Sequence, residues 1–209
     1  MTELYISALV TFFVVIDPPG CAPIFASLTH DSPAAHRRAM AIRSTLIAAA
    51  ILLLFGIFGK QFLGAMGISL DAFRIAGGIM LFMIAIDMVF EKRTERRESR
   101  AEEVKASPEH EDISVFPMAT PMIAGPGSIA SVMLMMARGH GLEERLVVIG
   151  ALATVLAGTL AALLLAGPMM KILGRKLEAM ITRILGVVLA ALAAQFVVDG
   201  IKASFGIGA

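Results

Sequence analysis

The chain has 209 residues, is 57% hydrophobic, and carries a net charge of +1 with a mean hydropathy of +0.82. Only 17% of its residues are charged, against about 25% in a soluble globular domain, and eight of the 17 acidic residues crowd between Glu91 and Asp112. This distribution excludes an ordinary soluble domain and points to several membrane spans; the near-neutral charge argues against a nucleic-acid partner, and the single cysteine, Cys21, excludes an intramolecular disulfide.

No Lys or Arg precedes the first apolar run and no small-residue cleavage pattern ends it, so a cleaved signal peptide is not expected. Six spans are predicted, at 4–28, 44–63, 72–90, 113–137, 146–167 and 180–201. Each is long enough for a hydrocarbon core that needs about 20 helical residues. The first contains "IDPPGCAPI" at 16–24, an aspartate, two adjacent prolines and a glycine at its centre. The third carries Arg74 near its start and Asp87 near its end. Next comes "EKRTERRESRAEEVKASPEHED" (91–112), with 14 charges in 22 residues. It reads as a solvated tether, and its mixed signs weaken an anionic-lipid role. The fourth span contains "AGPG" at 124–127, preceded by Pro117 and Pro121. In the fifth, Gly150, Thr154, Gly158, Ala162 and Ala166 recur every four residues, a stripe suited to close helix packing. Gly77, Gly78, Gly186, Ala190 and Ala194 are expected to do the same in spans three and six.

The loops after spans one, three and five hold 13 of the 18 Lys and Arg residues; the other side holds five. The positive-inside rule therefore places both termini outside and 91–112 in the cytoplasm, as in an inner (plasma) membrane protein with many passes.

Folded at 91–112, the chain repeats itself. "FRIAGGIMLFMIAI" (73–86) matches "TRILGVVLAALAAQ" (182–195), pairing Arg74 with Arg183 and Gly77 with Gly186 at an offset of 109. Pro19-Gly20 matches Pro126-Gly127 at an offset of 107. Three spans per half put the second copy in the membrane upside down. The expected architecture is an all-α membrane protein of six transmembrane helices, two inverted three-helix repeats at 1–90 and 113–209 joined by the charged linker. Helices one and four are expected to be broken at the bilayer midplane. Interrupted segments at matching positions of inverted repeats point to a transport site.

Proline removes a backbone donor and disfavours helix at the residue before it. Unpaired backbone at membrane depth is tolerated only inside protein or along a cavity, and a new helix N-terminus suits a carboxylate. The candidate substrate site is therefore Asp17, Pro18, Pro19, Gly20, Cys21 and Pro23 with Ala124, Gly125, Pro126, Gly127 and Ser128. The competing view is a pair of proline kinks that only shape packing. A charge at a helix centre costs about 2.5–3.5 kcal/mol on insertion scales, so Asp17 needs a reason. It would meet a substrate ammonium, carry a coupling proton, bind a cation, or cap the half-helix that starts at the prolines. Ala124 stands at the matching place in the second half. Asp87 and Asp199 read as interfacial, Arg74 and Arg183 as snorkelling to opposite interfaces, and Thr11, Thr120, Ser128 and Gln195 as mild polar groups along a pathway or between helices.

His30, His36, His110 and His140 all fall in loops without metal-ligand spacing, and no Walker motif is present. No metal, cofactor or enzymatic activity is expected. "DPPGCAPIFASLT" (17–29), "GISLDAFRIAGG" (67–78), "ATPMIAGPGSIA" (119–130) and "EAMITRILG" with "QFVVDGI" (178–186, 195–201) together resemble the MarC (UPF0056) family over nearly the whole chain. "DPPG" resembles its neutral amino-acid transporter branch. The resemblance implies six spans, likeness to small-amino-acid exporters of the LysE superfamily, and a transport site at Asp17–Pro23 and Ala124–Ser128. The expected function is secondary transport of small neutral amino acids, alanine or glycine, with a coupling proton or sodium ion and membrane lipid as the other partners. Homo-oligomerisation is left open. The alternatives are a non-transporting membrane scaffold, or transport of another metabolite or a cation.

Overall fold

The structure is a computed structural model that describes residues 1–106, 112–139 and 141–206, without the side chains of 105–106, 169–176 and 178. Helices α1 (Thr2–Ile16) and α2 (Pro18–Leu28) form the first span, and α3 (Ala34–Ala65) and α4 (Leu70–Val89) the next two. Then come α5 (Lys92–Ala106), a wide-wound segment Ser114–Ile123, α6 (Pro126–Arg138), α7 (Leu142–Leu164) and α8 (Ala166–Phe205). Among the described residues five helices are long and apolar enough to cross a membrane, six if Ser114–Ile123 and α6 count as one bent span. The chain is an all-helical membrane protein.

Two helices outrun the membrane. At about 1.5 Å per residue, the 40 residues of α8 extend roughly twice the thickness of a hydrocarbon core. The basic loop expected between spans five and six is thus the first part of α8, and α3 likewise begins ten residues before its expected span. Leu46, Leu54 and Phe58 of α3, Phe82 and Met83 of α4, and Val187 of α8 are large, apolar and exposed. That is the surface a helix presents to lipid.

The interrupted spans lie innermost. The first span is 72% buried within the protein, against 28% for α3 and α4 and 39% for α7. Ser128 and every residue from Ala130 to Met136 in α6 are buried. The irregular backbone at Asp17 therefore sits where protein surrounds it, whereas Phe116 and Thr120 of the second interruption are exposed.

Each interruption follows from its local sequence. Asp17 takes the left-handed conformation (φ 58°, ψ 65°), ends α1, and starts α2 with prolines at the first two positions. The missing N–H groups of Pro18 and Pro19 have no helical partner there anyway. In the second interruption Phe116 and Thr120 are extended (φ −128°, ψ 128° and φ −132°, ψ 126°). Each precedes a proline, which pushes its neighbour out of the helical region. Gly125 then caps α6, with Pro126 at the first position; a Cβ on Gly125 would lie 2.5 Å from the Pro121 carbonyl oxygen. The axis bends by 54° across this second break, whereas Thr2–Leu28 continues as a single span.

Helices α4 and α8 pack closely and antiparallel. A Cβ on Gly78 would meet Val197 Cγ2 at 2.7 Å and the Ala193 carbonyl oxygen at 2.8 Å. A Cβ on Gly186 would meet Val89 Cγ2 at 3.0 Å and the Ala85 carbonyl oxygen at 3.1 Å. These contacts are reciprocal: adding 108 to 78, 85 and 89 gives 186, 193 and 197. This contact pattern makes Gly78 the counterpart of Gly186, one residue away from the Gly77–Gly186 alignment read in the sequence. Gly77 packs instead against Leu134 of α6.

The α7 stripe differs from its expected role. Added Cβ atoms on Gly150 and Gly158 would meet nothing within 4 Å, and Thr154 is exposed, bonding the Gly150 carbonyl and Tyr5 Oη. The buried face of α7 is Val148, Ala151, Leu152, Val155, Thr159 and Leu163. Spacing every four residues defines a face but not the side on which it lies. Two substitutions check this packing by thermal unfolding of detergent-purified protein. Gly78→Leu is expected to cost about 1–3 kcal/mol by overpacking. Gly158→Ala should be neutral or stabilise by up to about 1 kcal/mol, since it adds helix propensity in open space.

Candidate functional site

The site is built where the first span is interrupted. The Asp17 N–H donates to the Phe13 carbonyl at 2.9 Å, closing α1. Its own carbonyl accepts from the N–H groups of Gly20 and Cys21, each at 3.1 Å, opening α2. Side-chain Oδ1 accepts from Gly20 N–H at 3.2 Å. Asp17 thus performs the capping role open to it from sequence. A non-glycine residue in this region costs of order 1–3 kcal/mol, and Asp is among the few side chains that adopt it routinely.

Capping uses one oxygen. The other, Oδ2, accepts from Arg97 Nη1 at 2.8 Å, and the two side chains are 1% and 10% exposed. Arg97 comes from α5, in the segment expected to be a solvated tether. Instead α5 docks across the mouth of the interrupted span. Arg93 Nη2 donates to the Val15 carbonyl at 2.6 Å, and its Nη1 lies 3.0 Å from Met88 Sδ. Val15 is two residues before the break, so Arg93 and Arg97 hold the chain just before and at the same interruption. Arg96 pairs with Asp87 of α4. Ala101 and Val104 complete the buried face of α5, while Glu95, Glu98, Glu102 and Glu103 are exposed.

Gly20 is required by this arrangement. A Cβ there would lie 2.2 Å from Asp17 Oδ2 and 2.7 Å from Arg97 Nη1. Gly127 is similarly constrained at the second break, where a Cβ would lie 2.4 Å from Ile84 Cδ1.

A cavity of about 250 Å³ opens between the two interruptions and α5. Arg93, Arg96, Arg97 and Arg100 line one side, Gly125, Pro126, Gly127 and Ser128 another, with Val15, Ile84, Asp87, Pro121 and Met122 between them. Four arginines line the cavity with one carboxylate, Asp87, and Asp17 pairs with Arg97 outside the lining, so the cavity is cationic. Burial, followed by the neighbouring charge of Arg97, pushes Arg93 down to about 10; it remains protonated at neutral pH. The N-terminus of α6 adds partial positive charge to the same cavity. An anionic group is the chemistry this surface favours.

Of the residues expected from sequence, Gly125, Pro126, Gly127 and Ser128 line the cavity, and Ala124 is buried beside them. Asp17 stands behind the Arg97 wall. Pro18, Gly20 and Cys21 are buried and Pro19 and Pro23 partly so, in the first two turns of α2. Thr11 bonds the Ser7 carbonyl of its own helix at 2.7 Å. Asp199 pairs with Arg138, and Arg183 with Glu91. The arginines of α5 were not foreseen. Their signal was present: at 100° per residue, Arg93, Arg96, Arg97, Arg100, Ala101 and Val104 fall on one helical face, and Glu95, Glu98 and Glu102 on the opposite one.

A bundle of apolar helices around interrupted central spans defines a multi-pass integral membrane protein. The chain belongs to the MarC family of integral membrane proteins, which it matches over residues 2–205. It is 38% identical over 200 residues to a UPF0056 membrane protein of Methanocaldococcus jannaschii, covering 96% of this chain and 97% of that one. It is 34% identical over 205 residues to the UPF0056 membrane protein YvbG of Bacillus subtilis, with 98% and 97% covered. It is 33% identical over 202 residues to the UPF0056 inner membrane protein YhgN of Escherichia coli, with 97% and 98% covered. No solved structure matches it.

Removing one partner of a buried ion pair typically costs about 3–5 kcal/mol, and an exposed pair is worth about 0–1 kcal/mol. Arg97→Ala is therefore expected to lower unfolding stability far more than Arg43→Ala, whose pair with Asp112 is 59% and 41% exposed. Gly20→Ala should approach the Arg97→Ala loss by wedging the pair apart. Equal midpoints for Gly20→Ala and wild type in thermal unfolding would contradict this geometry.

Proposed function

We propose that the chain is a secondary transporter or exporter of small neutral amino acids of the alanine and glycine class, in the neutral amino-acid transporter branch of its family. The observation that carries this reading is the cationic cavity between the two interruptions. It is bounded by the N-terminus of α6 and by the arginine face of α5. The N–H groups of Gly127 and Ser128 and the guanidinium groups would hold the substrate carboxylate. Val15, Ile84 and Met122 would accept a small apolar side chain. Asp17 would serve the ammonium or a coupling proton or sodium ion.

The two halves would work as inverted repeats, with alternating access from rocking one against the other. The reciprocal Gly78 and Gly186 contacts support this, because exchange of α4 and α8 about a local two-fold axis reproduces them. The interruptions would then lie near the bilayer midplane. The Lys/Arg distribution supports termini outside and α5 in the cytoplasm, facing lipid headgroups and solvent. In that orientation α5 covers the cytoplasmic mouth of the site.

The test is uptake and efflux of labelled alanine and glycine in proteoliposomes, with and without proton or sodium gradients. The expected result is saturable flux that responds to one gradient, and its loss in Asp17→Asn protein that still inserts. Wild-type flux in Asp17→Asn would remove Asp17 from the mechanism. Absence of saturable flux for any small solute would favour a scaffold.

A further inference from the structure

We propose that the buried Asp17–Arg97 pair is an exchangeable receptor for a zwitterion: the cargo carboxylate replaces Asp17 at Arg97, and the cargo ammonium replaces Arg97 at Asp17. The inference rests on the transport reading above and specifies how that site selects its cargo.

The geometry sets the two partners up unequally. Asp17 is fixed from behind: its backbone closes α1 and opens α2, and Oδ1 is held by Gly20 N–H. Oδ2 accepts from Arg97 Nη1. Arg97 is the adaptable partner, a long side chain from a helix that lies outside the membrane spans. Arg97 both pairs with Asp17 and lines the cavity. Its neighbours are engaged elsewhere, Arg93 with the Val15 carbonyl and Arg96 with Asp87. Gly20 leaves the space beside Asp17 Oδ2 without a Cβ wall. A small turn of the Arg97 side chain into the cavity would expose Oδ2 there.

Charge conservation supplies the selectivity. A buried pair that loses one partner leaves an uncompensated charge, which is strongly disfavoured. A carboxylate without an amine would take Arg97 and strand Asp17; an amine without a carboxylate would take Asp17 and remove the carboxylate that Arg97 pairs with. A zwitterion leaves both groups paired and adds no net charge. The cavity, about 250 Å³, is below the usual range for drug-sized ligands, and its apolar wall of Val15, Ile84 and Met122 suits a short aliphatic side chain. The same exchange would loosen the hold of α5 on the first interruption, linking cargo binding to opening of the cytoplasmic mouth.

The experiment is competition for labelled alanine uptake by the full-length protein in proteoliposomes. The competitors are glycine, propionate, alaninamide and N-acetylalanine. Glycine is expected to compete, and the three analogues that lack one charge should be at least tenfold weaker. Arg97→Gln should reduce uptake at least tenfold. The Asp17→Asn/Arg97→Gln double variant buries no unpaired charge, so its folding is expected to survive, yet it should not recover uptake. Propionate or alaninamide competing as well as glycine would overturn the exchange and leave transport standing. So would a folded double variant with wild-type uptake. If the wild type takes up none of these amino acids, both the transport reading and the exchange are overturned.

Discussion

One buried ion pair determines how this chain is assembled. Asp17 sits at the end of one helix and the start of the next, in a backbone conformation that few side chains adopt. Its charge, 1% exposed, needs a partner where it is buried. The partner comes from 80 residues away, on a helix rich enough in charge to look solvated. Through Arg97 the pair fixes α5 to the interruption; through Gly20 it fixes which residue follows the two prolines. Arg93, on the Val15 carbonyl, makes the attachment two-pointed. The charged segment after α4 is therefore packed into the first interruption rather than a separate tether.

The rest of the bundle serves to keep the irregular backbone at Asp17 away from lipid. The two interrupted spans are central, and α3, α4, α7 and α8 wrap them with outward apolar faces. Five buried hydroxyls are satisfied by their own chain segment: Thr11, Thr29, Ser44, Thr45 and Thr159 each donate to the carbonyl four residues earlier. Polar groups left to face the cavity are thus few, and most are cationic. The close pairing of α4 with α8, through Gly78 and Gly186, ties the two halves together on the side away from α7.

Much of this was legible in the sequence. The spans followed from apolar run length, and both interruptions from proline and glycine, because those residues act through their own backbone. Asp17 was recognisable as costly. Its partner was not, since a segment of 14 mixed charges satisfies every local criterion for a solvated tether. Only the segregation of arginine and glutamate around α5, together with the need to neutralise Asp17, would have revealed it. The stripe on α7 shows the opposite limit: periodicity defined the face, yet Gly150, Thr154 and Gly158 face outward while Ala166 is buried. The glycines of spans three and six were readable as close-packing positions, and steric contact at Gly78 and Gly186 shows where α4 and α8 meet.

The central claim is that Asp17 and Arg97 act as one unit in the folded protein. A double-mutant cycle on unfolding free energy, with Asp17→Asn, Arg97→Gln and the double variant, measures that coupling directly. Each single change strands a buried charge, so a coupling of about 3 kcal/mol is expected, with the double variant more stable than the sum of the singles allows. Additivity within about 0.5 kcal/mol would contradict it and return α5 to the status of a tether.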